Sequence, residues 1–138
     1  MKGTFYIDSD VFLYPVLYND FKESEKARNI LSQIEGKDIQ AYTSTLTWDE
    51  VSYVVERTLG KTDSIEIGRK FLNFPFLRFI PVDDEIIRRS QVIREKYSLK
   101  PRDSIHLSCA IERNISEIIT DDADFDGIEE IKRVPVKQ

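Results

Sequence analysis

Apolar residues follow two rhythms along this chain, and the places where one gives way to the other divide it into elements. Short β-branched and aromatic runs read as buried strands at 3–7 (GTFYI), 38–44 (DIQAYTS), 76–82 (FLRFIPV) and 117–120 (EIIT). A further strand at 131–136 (IKRVPV) belongs at a sheet edge because Pro135 cannot donate to a ladder. Between them lie stretches with apolar spacing of three to four. The spacing predicts helices over 11–20, 23–36, 46–60, 62–74, 83–97 and 101–114. In 23–36 the stripe is Ala27, Ile30, Leu31 and Ile34, with Gly36 at the end; in 46–60 it is Val51, Val54, Val55 and Leu59 behind a Thr47 cap. In 83–97 it is Ile86, Ile87, Ser90, Ile93 and Tyr97. Pro101 falls in a first turn, where proline is tolerated, whereas Pro15 sits awkwardly inside 11–20.

Strands separated by helices imply an α/β fold: a three-layer α/β/α sandwich around a mostly parallel sheet of about five strands. With 138 residues and no linker or repeat, residues 1–138 read as a single domain with a full core. One cysteine, Cys109, excludes an internal disulfide and fits a reducing compartment. The opening MKGTFYIDSD carries too short an apolar run for a signal segment or a membrane span, so a cytoplasmic protein without membrane association is expected.

The formal net charge is −5, which argues against a nucleic-acid partner unless the carboxylates share a site with cations. Two bound Mg²⁺ would bring the balance to −5 + 4 = −1, so the placement of the acids matters more than their sum. In open α/β sheets, sites form beyond the C-terminal ends of strands. The acids that follow strands or open helices are Asp8, Glu50, Asp103, Asp121, Asp122 and Asp124, and they could converge on one rim. Each has a plain alternative. Thr47-x-x-Glu50 is a capping-box pattern, Asp103 complements a helix dipole, and the TDDADFDG segment is rich in turn formers. Asp8 resists such a reading, because a carboxylate at the end of a buried strand has few structural uses. Clustered acids repel one another, whereas Mg²⁺ and Mn²⁺ prefer carboxylate oxygens and leave positions open for a phosphate.

Four segments, in order, resemble the PIN-domain ribonucleases, and most closely the small VapC-like toxins of toxin–antitoxin pairs: FYIDSDVFLY, TSTLTWDEV, LKPRDSIHLSCAIERN and EIITDDADFDGI. The resemblance implies that Asp8, Glu50, Asp103 and Asp122 are the catalytic, metal-binding acids, with Asp121 and Asp124 as alternatives in the same loop. Ser9 and Thr120 match polar positions beside the metal. Asp10 departs from the pattern and is either a helix N-terminal acid or a group supporting the ligands. The resemblance further implies Mg²⁺ or Mn²⁺, endonucleolytic cleavage of RNA by a metal-activated water, a homodimer, and a cognate antitoxin. Arg94, Lys96, Lys100 and Arg102 are candidate RNA-phosphate ligands, against their reading as a solvated helix end.

His106, the only histidine, is expected to be packed or hydrogen-bonded, Cys109 to lie in a helix packing face, and Trp48 to lie in the core. Two other functions are open. Asp8-x-Asp10 suggests a haloacid-dehalogenase-like phosphatase, which Phe12 fits poorly, and a catalytically silent PIN-like module would bind RNA or protein without cutting it.

Overall fold

The computed structural model describes residues 1–137. Five strands, β1 (Thr4–Ile7), β2 (Gln40–Ser44), β3 (Leu77–Ile80), β4 (Glu117–Ile119) and β5 (Lys132–Val134), form one sheet in the order β3-β2-β1-β4-β5. Every pairing is parallel, so the sheet is parallel throughout rather than mostly so. Six helices connect the strands: α1 (Ser9–Leu17), α2 (Lys22–Glu35), α3 (Thr45–Leu59), α4 (Lys61–Leu72), α5 (Asp84–Tyr97) and α6 (Pro101–Glu112).

Strand alternation sends side chains to two cores. On one face Phe5, Ile7, Ala41 and Ile119 meet α1 to α4 through Val11, Phe12, Ala27, Ile30, Val51 and Phe71. On the other, Tyr6, Ile80 and Ile118 meet α5 and α6 through Ile86, Ile93, Leu107 and Ala110. The expected α/β/α sandwich is therefore present, with β5 on the predicted edge. No helix among the described residues is long and apolar enough to cross a membrane.

The chain runs from β1 outward to β2 and β3, then returns to place β4 on the other flank of β1. Strand order thus reverses between β1 and β4, and the crevice beyond their C-terminal ends is the natural place for a site. Asp8 leaves β1 there, and Thr120 leaves β4 beside it; the register Ile7↔Ile119 brings them together, and the Asp8 N–H donates to the Ile119 carbonyl at 3.2 Å.

Several local expectations shift. The first helix starts at Ser9, not 11, because Asp8 caps it: its carboxylate accepts the Ser9 N–H. Pro15 lies inside that helix, near its end, so the backbone bond it forfeits is confined to the last turns. The helix after β2 has Ser44, not Thr47, at its N-cap position, and the Ser44 side chain makes no capping bond. Thr47 is helical and buried, and its oxygen accepts the Thr43 hydroxyl at 2.7 Å, so no capping box forms. Trp48 is 43% exposed rather than in the core, its indole passing over Gly68 where α3 and α4 approach closely. Leu59 and Ile87 also face outward. Cys109 is buried as expected, and desolvation pushes its thiol up to about 12, which leaves it without thiolate reactivity.

Candidate metal centre

Asp8 stands at the bottom of the crevice, almost fully buried. One carboxylate oxygen accepts the Ser9 N–H at 2.7 Å and lies 3.4 Å from the Ser9 hydroxyl; the other accepts the Thr120 hydroxyl at 2.8 Å. The orientation of Asp8 is thereby fixed before any ligand arrives. Thr120 also turns toward Asp10 Oδ2 at 3.2 Å, and the Asp121 N–H donates to that same Asp10 oxygen at 2.8 Å. Asp10, in the first turn of α1, therefore ties the start of that helix to the end of β4.

Glu50 reaches the crevice from the second turn of α3, and its nearest partner is His106 from α6. His106 Nε2 donates to Glu50 Oε1 at 2.7 Å and lies 3.6 Å from Asp8 Oδ1, while its Nδ1 is 2.6 Å from the Tyr6 hydroxyl. The imidazole is completely buried. Asp8, Glu50 and His106 each place a donor atom within 4.8 Å of the others. A second trio with the same spacing is Asp103, Asp122 and Asp124. Asp103 projects from the first turn of α6, and Glu50, Asp103 and Asp122 line one cleft together with Lys100 and Arg102.

The loop after β4 is held by its own bonds. Asp122 accepts the Asp124 N–H at 2.9 Å and opens a 3₁₀ turn, Ala123–Phe125. Phe125 is fully buried beneath that turn, which contributes roughly 1.5–3 kcal/mol to holding it. Asp121 turns away from the cleft. Its oxygens accept the Tyr14 hydroxyl and the N–H groups of Val136 and Lys137, so it anchors the C-terminal segment. Of the four basic residues, only Lys100 and Arg102 border the cleft, paired with Asp124 and Asp49. Arg94 instead donates to the Leu99 carbonyl, and Lys96 sits between Glu129 and Glu130.

Burial and the mutual repulsion of carboxylates dominate the electrostatics of the crevice. Desolvation and then the Asp122 and Asp8 charges push the Asp103 carboxyl up to about 7. Desolvation and the Asp8 charge do the same to Asp10, also to about 7, and Asp10 Oδ1 is a buried oxygen with no hydrogen-bond partner. Burial opposes a charged His106, but the Glu50 bond and the Asp8 charge outweigh it, and its pKa is raised above the ordinary value. An orphaned buried oxygen, hard oxygen donors and proton-holding carboxyls all fit a divalent cation at this rim.

These shifts share one sign. Asp10 and Asp103 hold a proton in the folded chain at pH values where the unfolded chain has lost it, so their contribution is complete below the ordinary carboxyl range and is lost as pH rises toward about 7. His106, also raised, loses its contribution as pH climbs through its folded value. The metal-free protein is therefore expected to be about 1–3 kcal/mol less stable at pH 8 than at pH 5, and Mn²⁺ at pH 8 is expected to recover the difference. Urea unfolding in EDTA at the two pH values measures this; equal stability, or greater stability at pH 8, contradicts the charge balance described.

Sequence reasoning found the acids but not Tyr6 or the link between His106 and Glu50. A weak signal existed: His106 lies three residues after Asp103 and so shares its helix face.

The sequence profile described as PIN domain matches residues 5–131. No curated protein sequence matches the chain. Among solved structures, a toxin–antitoxin complex from Klebsiella pneumoniae is 23% identical, with TM-score 0.65 over 93% of this chain and 95% of the other. DNA-bound VapBC from Salmonella typhimurium is 16% identical, with TM-score 0.74 over 99% of each chain. VapC20 of Mycobacterium tuberculosis, a sarcin–ricin loop cleaving toxin, is 11% identical, with TM-score 0.69 over 92% of this chain and 98% of the other. These likenesses carry the fold, and the profile, which runs from Phe5 in β1 to the residue preceding β5 and includes every acid of the crevice, carries the descent: the chain belongs to the PIN-domain family.

Proposed function

We propose that this chain is a Mg²⁺- or Mn²⁺-dependent endoribonuclease and the toxin of a toxin–antitoxin pair. The observation that supports the reading is that acids from four separate segments of the sequence gather at one rim: Asp8 has Glu50 within reach, Asp103 has Asp122, and Glu50, Asp103 and Asp122 line the same cleft. In this reading Asp8, Asp103 and Asp122 hold the metal, Glu50 completes the site, and Asp124 lies at its margin. A bound divalent cation supplies neutralisation of the scissile phosphate and a water of lowered pKa. The chain's own residues do the rest. Ser9 and Thr120 hold the Asp8 carboxylate in place, and His106 does the same for Glu50. Lys100 and Arg102, at the mouth of the cleft, attract the RNA backbone. Arg94 and Lys96 are left with structural duties by their present partners.

The toxin role draws on the structural neighbours, several of which are toxin–antitoxin complexes. A cognate antitoxin, a homodimer and a cytoplasmic location belong to the same proposal, as does a single domain over 1–138. The phosphatase alternative loses ground because Asp10 is engaged by Thr120 and the Asp121 N–H instead of facing a substrate.

The test is incubation of the purified protein with labelled single-stranded and hairpin RNAs in Mn²⁺, in Mg²⁺ and in EDTA. Cleavage with either metal, leaving 5′-phosphate ends and absent in EDTA, is expected. Intact RNA under all conditions would favour the silent binding module.

A further inference from the structure

The opposite end of the sheet carries a second feature that the acidic crevice does not explain. A groove of about 340 Å³ opens beside the N-terminal ends of β2 and β3, and Lys37, Gln40, Phe76 and Arg78 border it. No carboxylate lines it, and neither Lys37 nor Arg78 has a carboxylate partner among the described residues. The border of the groove is thus locally positive on a chain of net charge −5. It extends past the groove: the Arg78 guanidinium donates to the Tyr42 hydroxyl at 3.0 Å, and the guanidiniums of Arg78 and Arg113 lie 5.6 and 6.0 Å from the Tyr42 ring centre.

Phe76 is the independent observation. It sits at the third position of the turn Phe74–Leu77, closed by the Leu77 N–H on the Phe74 carbonyl, with Pro75 before it and φ of +64°. That is the pattern of a type II turn, whose third position favours glycine or asparagine. A bulky aromatic in the left-handed region is strained. Burial does not compensate, because the ring is 56% exposed. Its contact with Lys37, whose ammonium lies 4.4 Å from the ring centre, is an exposed cation–π pair worth less than the strain. Lys37 itself, at φ +62°, follows the last turn of α2, where that conformation is common. A strained backbone that presents an exposed aromatic between cations without carboxylate partners points to recognition.

We propose that this groove binds a stretch of single-stranded RNA, with a base stacked on Phe76 and backbone phosphates on Lys37 and Arg78. Stacking faces alternating with cations are what single-stranded nucleic acid requires, and the lack of carboxylates suits a polyanion. The choice of RNA over other polyanions rests on the ribonuclease reading. The groove borders the N-terminal end of β2 and the crevice lies beyond the C-terminal ends of the strands, so the two are separated by at least the length of β2, roughly 13 Å by strand rise.

The experiment is fluorescence anisotropy of a labelled 12-nucleotide single-stranded RNA with the full chain in EDTA, where the crevice cannot cut. Phe76→Gly is expected to weaken binding about five- to hundredfold while leaving the melting temperature unchanged or higher, since glycine relieves the turn. Phe76→Trp is expected to retain binding. Lys37→Glu and Arg78→Glu are each expected to weaken binding and to reduce the salt slope of log K by about 0.7. Absence of RNA binding by the wild-type chain, or wild-type binding by Phe76→Gly and both charge reversals, overturns the proposal. So does a change in sedimentation mass on Phe76→Gly, which would make this face a contact between copies. Metal-dependent cleavage is scored separately: its absence alongside groove binding would sink the nuclease reading and leave the groove standing.

Discussion

Replacing Asp8 with Asn is expected to abolish metal-dependent RNA cleavage while leaving the fold in place. Asp8 lies within reach of both Glu50 and His106. It lies at the strand-order reversal and is almost fully buried, and its charge helps to raise the carboxyls of both Asp10 and Asp103. Asparagine keeps one oxygen to accept the Ser9 N–H, so the start of α1 stays capped. What it loses is the anionic oxygen and the acceptor for the Thr120 hydroxyl. A charged oxygen donor is what a hard divalent cation selects, so Mn²⁺ affinity should fall by more than about 100-fold, beyond the cost of losing a supporting hydrogen bond. Calorimetric titration with Mn²⁺, beside the RNA assay and a thermal melt, separates the possibilities. Undiminished Mn²⁺ binding would remove Asp8 from the site; loss of the melting transition would make it a folding residue.

Removing a negative charge from Asp8 also predicts something about its neighbours. With that charge gone, Asp103 and Asp10 should titrate closer to the ordinary carboxyl range, and the decline in stability between pH 5 and pH 8 should shrink. If the crevice holds the proposed metal, its acidity and its metal affinity are then two readouts of one arrangement.

The layout of this site was legible in the sequence wherever a residue's role follows from its place along the chain. Asp8 could be found because a carboxylate ends an apolar strand, and Asp103 because Pro101 fixes the start of its helix. The alternation of strands and helices gave the parallel sheet for the same reason. Roles set by distant partners were not legible. Thr47 and Glu50 match a capping box, yet Thr47 is turned into the core toward Thr43, and Glu50 is drawn to a histidine 56 residues away. Asp121, Asp122 and Asp124 are equivalent in sequence. They are separated only by the Tyr14 hydroxyl and two C-terminal N–H groups that claim Asp121. Local pattern located the acids; long-range hydrogen bonds decided which of them face the crevice.

Replacing His106 with Ala is expected to cost the metal-free protein about 3–5 kcal/mol, the penalty for breaking a buried charge pair by removing one partner. His106 is completely buried and serves two groups at once. Its Nε2–H donates to Glu50 whether the ring is neutral or charged, and the Tyr6 hydroxyl faces Nδ1 either as donor or as acceptor. Alanine leaves the Glu50 carboxylate without its donor and the Tyr6 hydroxyl buried and unpartnered, with a ring-sized void between them. Glu50 should then lose its fixed orientation, weakening Mn²⁺ binding about 10- to 100-fold in the manner of other supporting partners of metal ligands. Tyr6→Phe isolates the lower bond. It is expected to cost about 1–3 kcal/mol and to leave the Glu50 bond, and hence metal affinity, nearly intact. The decisive arm is Glu50→Gln in the His106→Ala background, measured by urea unfolding in EDTA. If the penalty comes from an uncompensated carboxylate, neutralising Glu50 should return part of the lost stability, and the double variant should be more stable than His106→Ala alone. If it is no more stable, the loss is that of the void, and the Tyr6–His106–Glu50 chain is packing rather than the device that aims Glu50.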